Sequence, residues 1–214
     1  MQSLQTELDA FQKSFNASVT EKVVTTFASG VEELRQSSIT NNSLKVGDLA
    51  PDFILGNAIG KNISLSALLK NGPVVLTWYR GGWCPYCNIE LRHLQKSLPQ
   101  FQQYNAQLVA LSPELPDKSL TTVEKNQLEF EVLTDYNNDV ARKFGIVFKI
   151  NEDLVEIYNG FHPLDTYNGV DTNELPIPAT YIISPDFTIR YAYVEPDYRK
   201  RADPQEILKA LSKL

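Results

Sequence analysis

The sequence predicts an α/β domain, in which helices cover a central sheet, preceded by a helical extension. Two observations lead to this fold class. Apolar residues in about the first 36 positions recur at spacings of three and four, the period of an amphipathic helix. From residue 45 onward, short apolar runs typical of buried strands alternate with helical patterns. We therefore expect a helical extension over residues 1–44 and an α/β domain over residues 45–214.

The extension carries its apolar residues on a helical stripe. Residues 36–43 contain turn formers without periodicity, so a loop is expected there. The stripe must pack either on the α/β domain or on a second subunit, and the sequence leaves both open. Its members are Leu4, Leu8, Phe11, Phe15, Val19, Val23, Phe27, Val31 and Leu34.

The α/β domain begins its regular alternation with a predicted strand at residues 73–79, followed by a helix that starts near Pro85 and is expected to kink at Pro99. A hairpin and a helix capped by Asp203, with Pro204 at its first position, are expected at the end. Residues 160–174 are expected to form a solvated connection. The other predictions are strands at 107–111, 130–134, 179–183 and 189–194, and helices at 119–127, 138–144, 153–158 and 203–211.

The charge balance and the hydropathy exclude two classes of partner. Twenty Lys and Arg residues against 26 Asp and Glu residues give a net charge of −6, which is unsuited to binding nucleic-acid phosphates. No apolar run approaches the roughly 18 residues of a membrane span, and the first 15 positions lack the apolar segment of a secretion signal. We expect no nucleic-acid or membrane partner and a cytoplasmic location.

The two cysteines of the chain lie three positions apart in the segment WCPYC. Proline favours the first position of a helix, so Pro85 predicts Cys84 as the N-cap and Cys87 as the third helical residue. Both sulfurs then lie at the positive end of the helix dipole, which lowers the pKa of a thiol. Residues three apart on a helix are close enough for a reversible disulfide. The pair is therefore predicted to be redox-active, with Arg80 stabilising a thiolate or an oxyanion by its charge.

Two further residues are predicted to contact a substrate or a partner. Trp83 directly precedes the cysteine pair, and Pro178 directly precedes a buried strand. A proline at such a position is often cis and leaves a backbone edge for a thiol substrate, although a trans proline that begins a strand is an equal alternative. The cysteines form half of a zinc site, but His93 and His162 lack ligand spacing. No metal or other cofactor is therefore expected.

Several segments together resemble the thioredoxin-like superfamily, in its branch of peroxiredoxins and alkyl-hydroperoxide-reductase/thiol-specific-antioxidant proteins. These segments are APDF, PVVLTWY, WCPYC and PATYIIS, and the resemblance covers residues 45–211. The stretches YRGGWCPYCNIEL, ELPIPATYII and EPDYRKRADP look like bacterial peroxiredoxin-like proteins with a Cys-Pro-x-Cys pair. The resemblance implies a thioredoxin-like three-layer fold with a central mixed sheet. It also implies an antioxidant thiol-dependent peroxidase that reduces hydrogen peroxide or organic hydroperoxides and is recycled by an external dithiol such as a thioredoxin or glutaredoxin. The sequence leaves the oligomeric state open, with a homodimer as one alternative.

The peroxiredoxin motif, aligned without gaps, assigns the attacking thiol to Cys87 and the resolving thiol to Cys84. Arg80 and Cys84 replace the proline and the threonine of the motif, and its later arginine falls on Pro178, so activation would depend on Arg80 or Arg190. Cap geometry favours Cys84 as the nucleophile instead, but the register fixes more positions and is preferred here. Two alternatives stay open: a thioredoxin-type disulfide oxidoreductase, in which Cys84 attacks, and a non-enzymatic redox sensor whose disulfide alters the docking of the amino-terminal helices.

Overall fold

The structure, a computed structural model, describes residues 3–214, with the secondary structure in the following order. The helices are α1 Leu4–Ser18, α2 Glu21–Gln36, α3 Ile39–Asn42, α4 Leu65–Leu69, α5 Pro85–Gln102, α6 Pro116–Asn126, α7 Asp139–Lys143, α8 Glu152–Phe161, α9 Leu164–Asn168 and α10 Pro204–Leu211. The strands are β1 Ile54–Gly56, β2 Asn62–Ser64, β3 Val74–Trp78, β4 Gln107–Ser112, β5 Glu131–Thr134, β6 Val147–Lys149, β7 Glu174–Pro176, β8 Ala179–Ile183 and β9 Ile189–Val194.

The central sheet has five strands in the order β5-β4-β3-β8-β9. β3, β4 and β5 run parallel, whereas β8 and β9 pair antiparallel, so the sheet is mixed. Every residue of β3 and β8 is buried, which explains why both appear in the sequence as continuous apolar runs. Two short antiparallel pairs, β1-β2 and β6-β7, lie outside this sheet.

Alternate side chains of the central strands supply two hydrophobic cores, one on each face. On one face, Val75 and Ile182 pack in a core with α5 and α10. On the other face, Leu76 and Trp78 pack in a core with α4 and α7. The sheet therefore lies between two helical layers, and the expected three-layer architecture with a central mixed sheet is confirmed.

The amino-terminal helices pack on the α/β part of the same chain. α1 contacts α5 through the buried residues Leu4 and Leu8, and the Glu7 carboxylate lies 2.9 Å from Nε2 of His93 on α5. α2 contacts α8, and the Thr20 side chain caps the start of α2. The stripe is thus two helices with a break at residues 19–20, and it covers the domain within one subunit.

The sequence predictions of several segments were wrong. Residues 36–43 include the short helix α3. Residues 160–174 are not a solvated connection, because α9 lies there with Leu164 buried in the core. The short strands β1, β2, β6 and β7 and the helix α4 were missed, since three to five residues are too few for a periodic pattern. None of the helices within residues 3–214 is both long enough and apolar enough to cross a bilayer.

Candidate active site

The site is built where β3 ends and α5 begins, with a two-glycine turn between them. Gly81 has a φ of 154°, and a Cβ there would lie 2.2 Å from Nε1 of Trp83. A Cβ on Gly82 would lie 1.9 Å from Oγ1 of Thr122. The Gly82 N–H donates to Oε1 of Glu114 at 2.8 Å. The turn therefore requires glycine at both positions, and it fixes the direction in which α5 starts.

Cys84 is the N-cap of α5 and Pro85 its first residue, as the sequence predicts. The Cys84 side chain makes no capping hydrogen bond. Instead its Sγ accepts a hydrogen bond from Nη2 of Arg80 at 3.1 Å. Cys87 follows one turn later, and both thiols are reduced and 0 % exposed. Arg80 thus lies next to the cysteine pair, where the sequence predicts it.

Aromatic side chains hold the Arg80 guanidinium in place. Its Nη1 donates to the hydroxyl of Tyr158 at 2.7 Å, and its carbon lies 3.9 Å from the centre of the Tyr198 ring. The ring of Trp83 lies 5.3 Å from the same carbon. A cation over an aromatic face is attracted by the electrons of the ring. The guanidinium is therefore oriented toward Cys84 by contacts from α8 and from the segment before α10.

A second buried arginine, which the sequence analysis missed, contacts the other sulfur. Nη2 of Arg201 donates to Sγ of Cys87 at 3.4 Å, and its Nε donates to Oε2 of Glu90 at 2.6 Å. The Arg201 side chain is 1 % exposed and that of Glu90 is 3 % exposed. Arg201 lies in the segment EPDYRKRADP, which contains three basic residues in a row, and the sequence does not indicate which of the three is buried.

Arg190, the other arginine considered from sequence, forms no part of the site. Its Nη2 pairs with Asp186 at 2.9 Å, and its Nε donates to Ser184. All three residues lie in or beside the turn between β8 and β9. The fold does not bring Arg190 close to the cysteines, because its partners hold it at the hairpin.

The two thiols differ in acidity because they share a hydrogen bond with each other and because each sulfur contacts a buried arginine. Burial raises the pKa of Cys84, but a hydrogen bond with the Cys87 thiol and the charges of Arg80 and Arg201 outweigh it, so the pKa is well below its ordinary value. Burial raises the pKa of Cys87, and the hydrogen bond to Cys84 and the Cys84 charge raise it further. The site thus favours a thiolate on Cys84 and a neutral thiol on Cys87.

Two buried carboxyl groups, those of Glu90 and Glu114, lie near the cysteine pair. Burial raises the pKa of Glu90 to about 7, although the charge of Arg201 opposes the rise. Burial likewise raises the pKa of Glu114 to about 7, against the hydrogen bond from Gly82. Both groups therefore exchange protons near neutral pH.

The remaining residues considered from sequence have these positions. Trp83 is nearly buried, with its ring 5.3 Å from that of Tyr158. Pro178 lines a small cavity together with Arg80, and its peptide bond is trans, so the cis alternative is wrong. His93 is buried against Glu7, whereas His162 is half-buried with its ring 6.0 Å from that of Trp83. Within residues 3–214, no three His, Cys, Asp or Glu side chains gather into a metal-binding group.

The AhpC/TSA family model matches residues 46–192, which is more than half of the chain. The chain belongs to the AhpC/TSA family. A putative peroxiredoxin bcp of Buchnera aphidicola is 38 % identical over 104 residues, 49 % of this chain and 65 % of that protein, so the chain spans just under two thirds of that relative. Peroxiredoxin Bcp of Escherichia coli is 26 % identical over 121 residues, 56 % of this chain and 76 % of that protein.

Solved peroxiredoxin structures share the fold of this AhpC/TSA protein. Peroxidoxin BcpB of Mycobacterium tuberculosis superimposes with a TM-score of 0.63 at 23 % identity, over 80 % of this chain and 98 % of that chain. The bacterioferritin comigratory protein of Xanthomonas campestris, described for its alkyl peroxide reduction activity, gives a TM-score of 0.59 at 16 % identity, over 75 % and 90 %. The resemblance to peroxiredoxins is confirmed. The family match ends before Arg201 and begins after α1, α2 and α3.

Proposed function

We propose that this AhpC/TSA protein is a thiol-dependent peroxidase that reduces hydrogen peroxide or organic hydroperoxides through Cys84 and Cys87, as part of antioxidant defence. One observation carries the proposal: the Arg80 guanidinium donates at 3.1 Å to a buried sulfur at the start of α5. A cation there stabilises a thiolate before the reaction and the developing negative charge on oxygen during it. The family membership and the peroxiredoxins among its relatives support the same activity.

We assign the attack on peroxide to Cys84, in place of the Cys87 preferred from the motif register. Three features favour this assignment. The pKa of Cys84 is lowered, whereas that of Cys87 is raised. Arg80 contacts the sulfur of Cys84. Arg80, which donates to Cys84, lines a cavity that a small substrate can enter, whereas Arg201, which donates to Cys87, does not line it.

The reaction then needs two steps on the protein. The Cys84 thiolate attacks the terminal oxygen of the hydroperoxide, the O–O bond breaks, and the alkoxide or hydroxide leaves and takes up a proton. Cys84 is now a sulfenic acid. The Cys87 sulfur attacks it, the S–O bond breaks, and the departing hydroxide combines with the Cys87 proton as water, which leaves a disulfide. An external dithiol reduces that disulfide and is itself oxidised.

The reductant, the location and the assembly complete the proposal. Both sulfurs are 0 % exposed, so a protein dithiol such as a thioredoxin or glutaredoxin reaches the disulfide only if the first turn of α5 or the covering helices move. A cytoplasmic location suits a pair that must return to free thiols. A homodimer stays a prediction, which sedimentation velocity at several concentrations tests.

A disulfide oxidoreductase is the second candidate, favoured by the low pKa of Cys84 and by Pro178 beside Arg80. The peroxiredoxins among the relatives of the chain favour the peroxidase over this candidate. A redox sensor is the third candidate. Tyr86 lies between the two cysteines and packs edge-on against Phe11 of α1 at 5.0 Å, so a disulfide would disturb this contact.

Trapping of the sulfenic acid tests the function and the roles together. Reduced wild type, Cys84→Ser and Cys87→Ser are mixed with one equivalent of hydroperoxide and dimedone, and the modified residue is identified by mass spectrometry. We expect Cys87→Ser to react rapidly once and to carry the adduct on Cys84, and Cys84→Ser to react slowly. A rapid adduct on Cys87 in Cys84→Ser would return the attack to Cys87. Failure of the wild type to consume peroxide, with rapid reduction of insulin disulfides, would favour the oxidoreductase.

A further inference from the structure

A cavity of about 110 Å³ opens onto the Arg80 guanidinium. We call it the aromatic cavity, because most of its lining side chains are aromatic. Part of its wall comes from the α/β domain, and part comes from α1 and α2. The wall residues used below are Phe15, Phe27, Tyr158 and Tyr198.

The Arg80 guanidinium forms the polar end of the aromatic cavity. Arg80 is 4 % exposed and uses Nη1 for Tyr158 and Nη2 for Cys84. A guanidinium has five N–H donors, so these two contacts leave others for a ligand oxygen. A hydroperoxide oxygen bound by Arg80 would lie near the sulfur that we propose attacks it.

The opposite wall is apolar and is held firmly on the site. Phe27 of α2 packs edge-on against Tyr158 at 5.8 Å and against Tyr198 at 6.2 Å. Phe15 of α1 packs edge-on against Phe27 at 6.0 Å. The rings of Phe15 and Phe27 offer no hydrogen bonds to the second hydroxyl of hydrogen peroxide, whereas they remove an alkyl group from water.

The size of the aromatic cavity limits the alkyl group. A cavity of roughly 150 Å³ is known to hold benzene, which has six carbon atoms. By proportion, 110 Å³ accommodates about four carbon atoms. A tert-butyl group has this size, whereas a fatty-acid chain does not fit within the cavity.

We propose that α1 and α2 complete a specificity pocket for short-chain alkyl hydroperoxides, with Arg80 binding the peroxide oxygens and Phe15 and Phe27 enclosing the alkyl group. This inference rests on the proposed peroxidase function. The matched family segment begins at residue 46 and ends at residue 192, so Phe15, Phe27 and Tyr198 all lie outside it. The pocket is therefore an addition that this chain makes to the shared fold.

The test compares kcat/KM for tert-butyl hydroperoxide, hydrogen peroxide and a fatty-acid hydroperoxide. We expect the wild type to prefer tert-butyl hydroperoxide. Phe15→Ala and Phe27→Ala should each lower the ratio of kcat/KM for tert-butyl hydroperoxide to kcat/KM for hydrogen peroxide about tenfold, because each removes apolar contacts from the substrate pocket. Phe27→Leu, which keeps an apolar side chain, should have a smaller effect and guards against misfolding in Phe27→Ala. Tyr104→Ala removes an aromatic side chain that is 41 % exposed and outside the cavity, so its ratio should equal that of the wild type.

The outcomes separate this inference from the function on which it rests. If the wild type consumes no hydroperoxide, the peroxidase function fails and the pocket fails with it. If the wild type consumes the peroxides and the ratio of kcat/KM for tert-butyl hydroperoxide to that for hydrogen peroxide is the same in Phe15→Ala, Phe27→Ala and Tyr104→Ala, the peroxidase function stands and the pocket is overturned. A preference for the fatty-acid hydroperoxide would also overturn the size limit.

Discussion

Replacement of Arg80 by Met removes the charge nearest to the Cys84 sulfur and keeps an unbranched side chain in its place. At 3.1 Å, a unit charge attracts the thiolate by about 5 kcal/mol in an effective dielectric of about 20. Arg201 still stabilises the thiolate in the variant, and water can enter the vacated space. We therefore expect the Cys84 thiolate to lose roughly 2 kcal/mol of stabilisation, which corresponds to about 30-fold less thiolate at a pH below the pKa.

The assay is the pH dependence of alkylation by iodoacetamide in a Cys87→Ser background, where Cys84 is the one remaining cysteine. Arg80→Met should move the titration of Cys84 to higher pH and slow its alkylation at low pH by about 30-fold. Arg190→Met is the matched control, because that arginine pairs with Asp186 at the hairpin. A titration curve that is the same in both variants would refute the role of Arg80 in thiolate stabilisation.

Three further outcomes are expected. The pKa of Glu90 is about 7 in the folded protein against 4.5 for an ordinary glutamate. Its contribution to the free energy of unfolding therefore falls as pH rises from about 4.5 to about 7, by roughly 3 kcal/mol in total. Glu90→Gln should flatten the pH dependence of urea unfolding in this range, and an unchanged slope would contradict the assignment. Gly82→Ala should lower stability by about 1–3 kcal/mol, since its Cβ meets Thr122, whereas Gly56→Ala, with open space around it, should show no such steric loss in thermal melts. Peroxide-treated protein should lose both reactive thiols yet run as a monomer on a non-reducing denaturing gel, and a main band of disulfide-linked dimer would be the contrary result.

The sequence by itself determined the local features on which the site is built. β3 and β8 are buried on both faces, so each appears as an unbroken apolar run, and the predicted strand 179–183 matches β8. Pro85 fixed the start of α5 and thereby the positions of the two cysteines, and Asp203 with Pro204 fixed the start of α10. These features depend on backbone preferences within a few residues, which a single sequence displays directly.

The tertiary structure alone decided which distant side chains surround the cysteines. Arg201 lies 114 positions after Cys87, and its contact with that sulfur depends on the path of the segment before α10. The apolar stripe of α1 and α2 indicated a buried face without saying what it covers, and its phenylalanines close over Arg80. Periodicity encodes the face of a helix but not the partner of that face, because the partner is selected by packing over the whole chain. The proposed assignment of the reactive thiolate to Cys84 has the same origin in part, since it depends on burial, on the nearby Arg80 and on the distant Arg201.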